Sequence, residues 1–197
     1  MLPVQRAAIC TLGPPFDVET VGASDAIAGG LSEVQLDAGE GPGWDAYATG
    51  VPVLEPDVHA LMPLRWPIVL HALADQGVQA VFSFPLAVGS LKIGAVDLYS
   101  DTSEMLSDDS VAGAVGLASA ASSAVLHRAL DHLDEELPDE GPFSRREVHQ
   151  ATGMVVAQMR ISPEDALLLI RAHAFASGRS VRETAADITT RRISLAP

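Results

Sequence analysis

Eight arginines crowd the last fifty-four residues of this 197-residue chain, at positions 145, 146, 160, 171, 179, 182, 191 and 192. A guanidinium is planar, permanently charged and forked, so it suits phosphates and base edges better than any other side-chain cation. Only five acids share that segment, which gives residues 144–197 a net charge of +3. Residues 1–143 hold four basic side chains (Arg6, Arg65, Lys92 and Arg128) against twenty-one acidic ones, a net of −17. A charge asymmetry of this kind points to two domains with different partners. The plainer alternative is that arginines are common on exposed helices, and charge alone does not choose between the two.

Other chemistries find little support. Cys10 is the only cysteine, so an internal disulfide and any multi-cysteine zinc or redox motif are excluded. No His, Asp or Cys pair has convincing metal spacing, and no Ser-His-Asp set, carboxylate pair or phosphate loop stands out. The loop Gly39-Glu40-Gly41-Pro42-Gly43 lacks the Gly-Lys-Ser/Thr of a phosphate-binding loop. The expectation is a protein that is not an enzyme and needs no cofactor. The segment Met1–Leu12 lacks the apolar run and cleavage site of a signal peptide. No stretch is read as approaching the ~18 uncharged apolar residues of a spanning helix. A cytoplasmic protein with no membrane partner is expected.

The elements that must position the arginines follow from pattern. Asp134-Glu135-Glu136-Leu137-Pro138-Asp139-Glu140-Gly141-Pro142 marks a boundary, because the prolines stop a helix and Gly141 permits a turn. The expected organisation is a domain over 1–137, a linker over 138–143 and a second domain over 144–197. Upstream, Val4–Leu12 and Asp17–Ala23 read as strands and Asp25–Val34 as a short helix weakened by Gly29 and Gly30. A loop over 37–43 and a short segment Trp44–Ala48 follow. Val51–Leu54 reads as an edge strand and Trp66–Asp75 as a helix ended by Gly77. Val78–Val88 and Leu91–Tyr99 around Gly89-Ser90 make a hairpin. Ser107–Glu136 is the longest helical pattern, with Ser107 as N-cap and a stripe of Val115, Ala118, Ser122, Val125, Ala129 and Leu133. Leu126, Leu130, Leu133 and Leu137 extend a second seam. Strands and helices intermix without βαβ regularity, so the class is α+β with a mostly antiparallel sheet and flanking helices.

The second domain has the strongest local signals. Ser144-Arg145-Arg146-Glu147 and Ser180-Val181-Arg182-Glu183 read as capping boxes, and Ser162-Pro163-Glu164-Asp165 as a capped helix start with proline in the first turn. Arg160-Ile161 and Gly178 close the first two helices. The apolar sets Val148/Ala151/Val155/Met159, Ala166/Leu169/Ile170/His173/Ala174 and Val181/Ala185/Ile188 describe a small all-α bundle of three helices.

Three runs in this segment are Glu147-Val148-His149-Gln150-Ala151-Thr152-Gly153-Met154-Val155-Val156, Ile161-Ser162-Pro163-Glu164-Asp165-Ala166 and Arg171-Ala172-His173-Ala174. They resemble an ANTAR domain, a three-helix RNA-binding module of bacterial transcription antiterminators. Upstream, Gly39–Tyr47, Val51-Pro52-Val53-Leu54, Phe82-Ser83-Phe84-Pro85-Leu86 and Gly94–Tyr99 resemble the GAF domains fused to such modules in actinobacteria. The resemblance implies a signal-sensing transcription regulator that binds paired RNA hairpins in leader transcripts as a homodimer. It also implies a possible small-molecule ligand in the GAF-like domain. Carried over by position, the RNA-contacting residues are Arg146, Gln150, Gly153, Arg171 and Arg179, with Arg145 and His149 as helpers. Thr152 stands where many members have lysine. Single-stranded loop bases are readable in a way duplex RNA is not. Gln150 can serve a base edge as donor and acceptor, and Gly153 would let RNA approach the backbone.

The aromatics Trp44, Tyr47, Trp66, Phe82, Phe84 and Tyr99 are candidate pocket liners, with His59 and His71 beside them, although each aromatic is explained more simply as core. The chain begins near its first strand, without the N-terminal helix common in GAF domains. Related sequences often place cysteine at the position of Gly43. Two further readings stay open. In one the GAF-like part only dimerises and presents the RNA module constitutively. In the other, three short basic helices bind DNA.

Overall fold

The computed structural model describes residues 2–62, 64–132 and 144–195, and the chain divides into two compact units, 1–138 and 139–197. The expected linker at 138–143, with Leu133 and Leu137 of the second leucine seam, lies outside the described residues.

In the first unit five strands form one sheet: β1 (Arg6–Thr11), β2 (Glu19–Ala23), β3 (Val53–Glu55), β4 (Ala80–Val88) and β5 (Leu91–Ser100). Their order is β2-β1-β5-β4-β3, and all neighbours are antiparallel. The β4–β5 hairpin turns through Gly89, whose φ of +60° suits a residue without a Cβ. Close pairing of β1 and β5 also demands Gly94, since a Cβ there would stand 1.8 Å from the Cys10 carbonyl oxygen.

Alternation along the strands sorts side chains into two layers. Val81, Ala8 and Tyr99 face α1 (Ala26–Ala38), α2 (Pro42–Thr49) and α3 (Pro67–Asp75), and pack with Ala28, Leu31, Ala46, Trp66, Val69 and Leu73. Phe82, Phe84, Leu86, Ile93 and Leu98 face α4 (Asp108–His132) and pack with Ala114, Ala118 and Val125. The ladder shifts register between Leu86 and Ala87. The Ala87 amide freed there donates to the Ser122 hydroxyl on α4 at 3.0 Å, and that hydroxyl donates to the Ala118 carbonyl at 2.8 Å.

Four expectations are corrected. Helix α1 runs to Ala38, four residues past Val34, because Asp25 caps it and burial of Gly29, Leu31, Gln35 and Leu36 outweighs glycine's weakness. The expected loop over 37–43 shrinks, since Gly39 turns in the left-handed region and Pro42 already opens α2. On α4 the buried position is Ala114, whereas Val115 is 47% exposed. The sheet-facing line steps 114, 118, 122, 125, one residue out of phase with the expected start. Asp108–Leu130 is, by length and composition, apolar enough to cross a membrane, contrary to the expectation, yet one side of it covers the sheet.

The second unit is three helices: α5 (Arg146–Met159), α6 (Pro163–Ala176) and α7 (Val181–Thr189). Val148, Ala151 and Val155 meet Ala166, Ile170 and Ala174 and then Val181, Ala185 and Ile188. Leu169, 38% exposed, and His173, also exposed, leave the expected core set. The line 166-170-174 already fills the contact, and alanine at both ends lets the helices approach closely.

Candidate nucleic-acid interface

Local chemistry sets the ends of these helices. Ser162 accepts from the Asp165 amide at 3.1 Å with Pro163 in the first turn. Ser180 accepts from the Glu183 amide while Glu183 returns to the Ser180 amide at 2.9 Å, a complete capping box. These bonds hold the Glu183 carboxyl below its ordinary range. The expected box at Ser144 does not form. Arg145 occupies the N-cap of α5 without a side-chain cap bond, and Ser144 only meets the Arg146 amide at 3.4 Å. Glycine is absent at the other end of α5, where Arg160 itself takes the left-handed turn, at φ +57°.

The outer side of α5 carries Arg146, His149, Gln150 and Gly153, all exposed, at the i, i+3, i+4, i+7 spacing of one helical face. Among the described residues, none of these side chains takes part in a hydrogen bond or ion pair. Nothing lies within 4 Å of where a Cβ on Gly153 would stand. The face thus combines a fixed cation, an imidazole, an amide with donor and acceptor, and bare backbone. Arg160, exposed, adds a further cation at the C-terminal end of the helix. Sequence reasoning used Arg160 only to close the helix, and the structure keeps it there as the left-handed C-cap.

The other candidates sit elsewhere. Arg145 is 3% exposed, so it is part of the fold and is not on that face. Thr152 is half-buried, and its hydroxyl donates to the Val148 carbonyl at 2.7 Å. Arg171 is half-buried on α6. Arg179 pairs with Asp187 and also donates to the Glu183 carbonyl at 3.4 Å. The hydrogen bond with Asp187 raises the guanidinium's affinity for its proton and lowers the Asp187 carboxyl below its ordinary range. Asp187 is also 3.4 Å from Arg192.

In the first unit the six aromatic candidates do not line a common cavity. Phe82 and Phe84 belong to the α4 layer, Trp66 and Tyr99 to the opposite layer, and all four are buried. Trp44 and Tyr47, half-buried, meet edge to face beside Cys10, Leu12, Leu36 and Ala95. His59 and His71 are exposed, with His71 3.5 Å from Asp75. Among the described residues no three His, Cys, Asp or Glu side chains gather in a way that could hold a metal.

The interior instead holds a polar cluster that pattern reading missed. Asp97 is fully buried and accepts from Gln35 at 2.7 Å and from the Ser83 hydroxyl. Gln35 Nε2 also reaches the Tyr99 hydroxyl at 3.2 Å, and its Oε1 accepts from the Gly43 amide at 3.0 Å. Burial pushes the Asp97 carboxyl up to about 6, against the opposing pull of the hydrogen bonds from Ser83, Gln35 and Tyr99. The same burial raises the Tyr99 phenol and the Cys10 thiol, with the Asp97 charge adding to both. A side chain at Gly43 would stand 3.1–3.3 Å from the Asp97 and Gln35 oxygens, which accounts for glycine there.

Comparison with known proteins gives a family for the second unit and a fold for the first. Residues 143–188 match the ANTAR domain family. The first unit is similar to the GAF domain of a phosphoenolpyruvate-protein phosphotransferase from Coxiella burnetii (13% identity, TM-score 0.51, covering 66% of this chain and 77% of that one). It is similar also to a GAF domain/HD domain protein from Geobacter sulfurreducens (18%, 0.50, 68% and 87%). A third is the GAF domain of a two-component sensor histidine kinase from Bacillus halodurans (10%, 0.50, 64% and 84%). At such identities the likeness establishes the fold alone. No curated protein matches the chain by sequence.

Proposed function

We propose, from a chain that carries an ANTAR domain behind a GAF-fold domain, that it is an RNA-binding transcription antitermination regulator and not an enzyme. The second unit grips paired RNA hairpins of leader transcripts, the first unit controls it, and the working form is a homodimer of the cytoplasm. The observation that carries this reading is the outer face of α5, where Arg146, His149, Gln150 and Gly153 stand exposed together.

The chemistry follows from that face. Arg146 and Arg160 give α5 fixed positive charge at its two ends. Gln150 offers a donor and an acceptor to a base edge in a single-stranded loop, where such edges are open. Gly153 lets the RNA backbone come within reach of the helix without a side chain in between. Arg171 stands on α6 as a secondary contact. Arg179 is held by Asp187 and Arg145 is buried, so neither belongs to the grip.

A second reading of the first unit has an observation in its favour. The aromatics are used as core, and Asp97, Gln35 and Ser83 satisfy one another in the interior. That suits a domain that presents the RNA module constitutively. Mass spectrometry of small molecules retained by the purified full chain separates the two: a stoichiometric ligand supports sensing, none supports constitutive presentation.

The principal test is binding of the full chain to a tandem hairpin RNA, a single hairpin and a duplex DNA across a salt series. The expected order is tandem hairpin, then single hairpin, then DNA. Tighter binding to the DNA duplex overturns the reading in favour of a DNA-binding regulator.

A further inference from the structure

Helix α4 lays Ala114, Ala118, Ser122 and Val125 on the sheet, and its opposite side is exposed. On that side stand Asp109, Gly113, Gly116, Ala120, Ser123 and His127, alternately four and three residues apart. This is the rhythm of a helix–helix seam. Val115, Leu117 and Leu130 flank it, exposed by 47, 63 and 52%. No charged residue interrupts the helix from Ser110 to Leu126.

Two glycines sharpen the argument. Glycine weakens a helix interior, yet nothing lies within 4 Å of where a Cβ would stand on Gly113 or Gly116. No close approach among the described residues requires them. A second backbone crossing the same face would.

We propose that a second copy of this chain covers this face, the two α4 helices running antiparallel and crossing over Gly116 and Ala120; this deepens the dimeric reading above and rests on it. Charge selects the direction. Acidic Asp108 and Asp109 open the helix, and His127 and Arg128 stand near its other end. An antiparallel pair sets Asp109 against the partner's His127, Gly113 against the partner's Ser123, and Gly116 against the partner's Ala120. A parallel pair sets carboxylate on carboxylate and imidazole on imidazole. His127 Nδ1 donates to the Ser123 carbonyl at 2.7 Å, which leaves Nε2 of the protonated ring to donate to the partner's Asp109. Leu117 meets the partner's Leu117 beside the twofold axis. The partner's Ala124 then covers a groove of about 380 Å³ bordered by Leu2, Asp109, Ser110, Gly113 and Leu117.

Mixed cysteine pairing of the full chain tests this. Gly113→Cys and Ser123→Cys variants are oxidised mildly, each alone and as an equal mixture, with the native Cys10 buried. A covalent dimer formed only in the mixture is the expected result. Cross-linking of either variant with itself indicates a parallel pair and overturns the proposal. In parallel, Asp109→Lys is expected to weaken dimerisation at least tenfold by sedimentation, and Asp109→Lys with His127→Asp to restore it. Unaltered dimerisation in Asp109→Lys, or a monomeric wild type at micromolar concentration, also overturns it. Capture of the wild type by phosphatidylcholine–phosphatidylglycerol vesicles, lost in Gly116→Lys, assigns the face to a membrane instead. RNA binding measured on the same samples keeps the two readings apart: a monomer that still grips a single hairpin sinks this interface alone, whereas a dimer with no grip on RNA sinks the function alone.

Discussion

Arg179 and Asp187 hold each other across the turn between α6 and α7, with Arg192 approaching the same carboxylate from the other side. A guanidinium committed in this way must leave its partner before it can bind phosphate. On α5, Arg146 is exposed and its side chain meets no acid among the described residues. The two arginines are alike in type and opposite in their pairing.

Arg146→Ala is therefore expected to weaken hairpin RNA binding about tenfold, the effect of one charged contact of about 1.4 kcal/mol. The salt slope should fall by about one ion. Arg179→Ala should leave affinity within about twofold and lower the melting temperature of the second unit. Fluorescence anisotropy across a salt series, beside thermal melts, distinguishes them. Equal losses of affinity would put Arg179 back in the interface.

Gly153 should show stability and binding moving in opposite directions. Its backbone is ordinary helix and the space outside it is open. Gly153→Ala should stabilise α5 by about 0.5–1 kcal/mol, while RNA affinity drops because a methyl group now separates the ligand from the backbone. Circular dichroism melts and anisotropy on one sample check both. Improved binding would show that the glycine has no role at the surface.

Asp97 should make the first unit sensitive to mild pH change. Its folded carboxyl titrates at about 6, against ~3.9 in an unfolded chain. The folded state therefore holds the proton more tightly. The stability this contributes is fully present below about pH 4 and is lost as pH rises through about 6, about 3 kcal/mol in all. Both tryptophans, Trp44 and Trp66, lie in this unit, so their fluorescence reports its unfolding alone. Denaturant titrations at pH 4 and pH 7 should show wild type losing stability relative to Asp97→Asn. A difference that does not vary with pH removes the account of a strained carboxylate.

The caps of the second unit should differ in worth. Ser180→Ala removes a complete capping box and should cost about 1 kcal/mol. Ser144→Ala loses only a contact of 3.4 Å and should cost little. Far-ultraviolet melts of the full chain measure the contrast, and equal costs would mean that Ser144 caps α5 in solution.

Much of this molecule was legible because the deciding interactions are local. The Gly89-Ser90 hairpin, the caps at Ser162 and Ser180 and the core lines of α5 and α7 depend on residues two to four positions apart. Those bonds need no partner from elsewhere in the chain, and neither does the single-faced arrangement of Arg146, His149, Gln150 and Gly153. The fate of an individual polar side chain is different. Arg145 is buried, Arg179 meets an acid on the next helix, and Asp97 is enclosed by Gln35 from sixty-two positions away. The split of Phe82 from Trp66, and of Ala114 from Val115, was likewise settled by which neighbour reached each surface. Helix and strand periodicity are properties of a segment. Burial and pairing are properties of two segments brought together, and only the folded chain supplies the second.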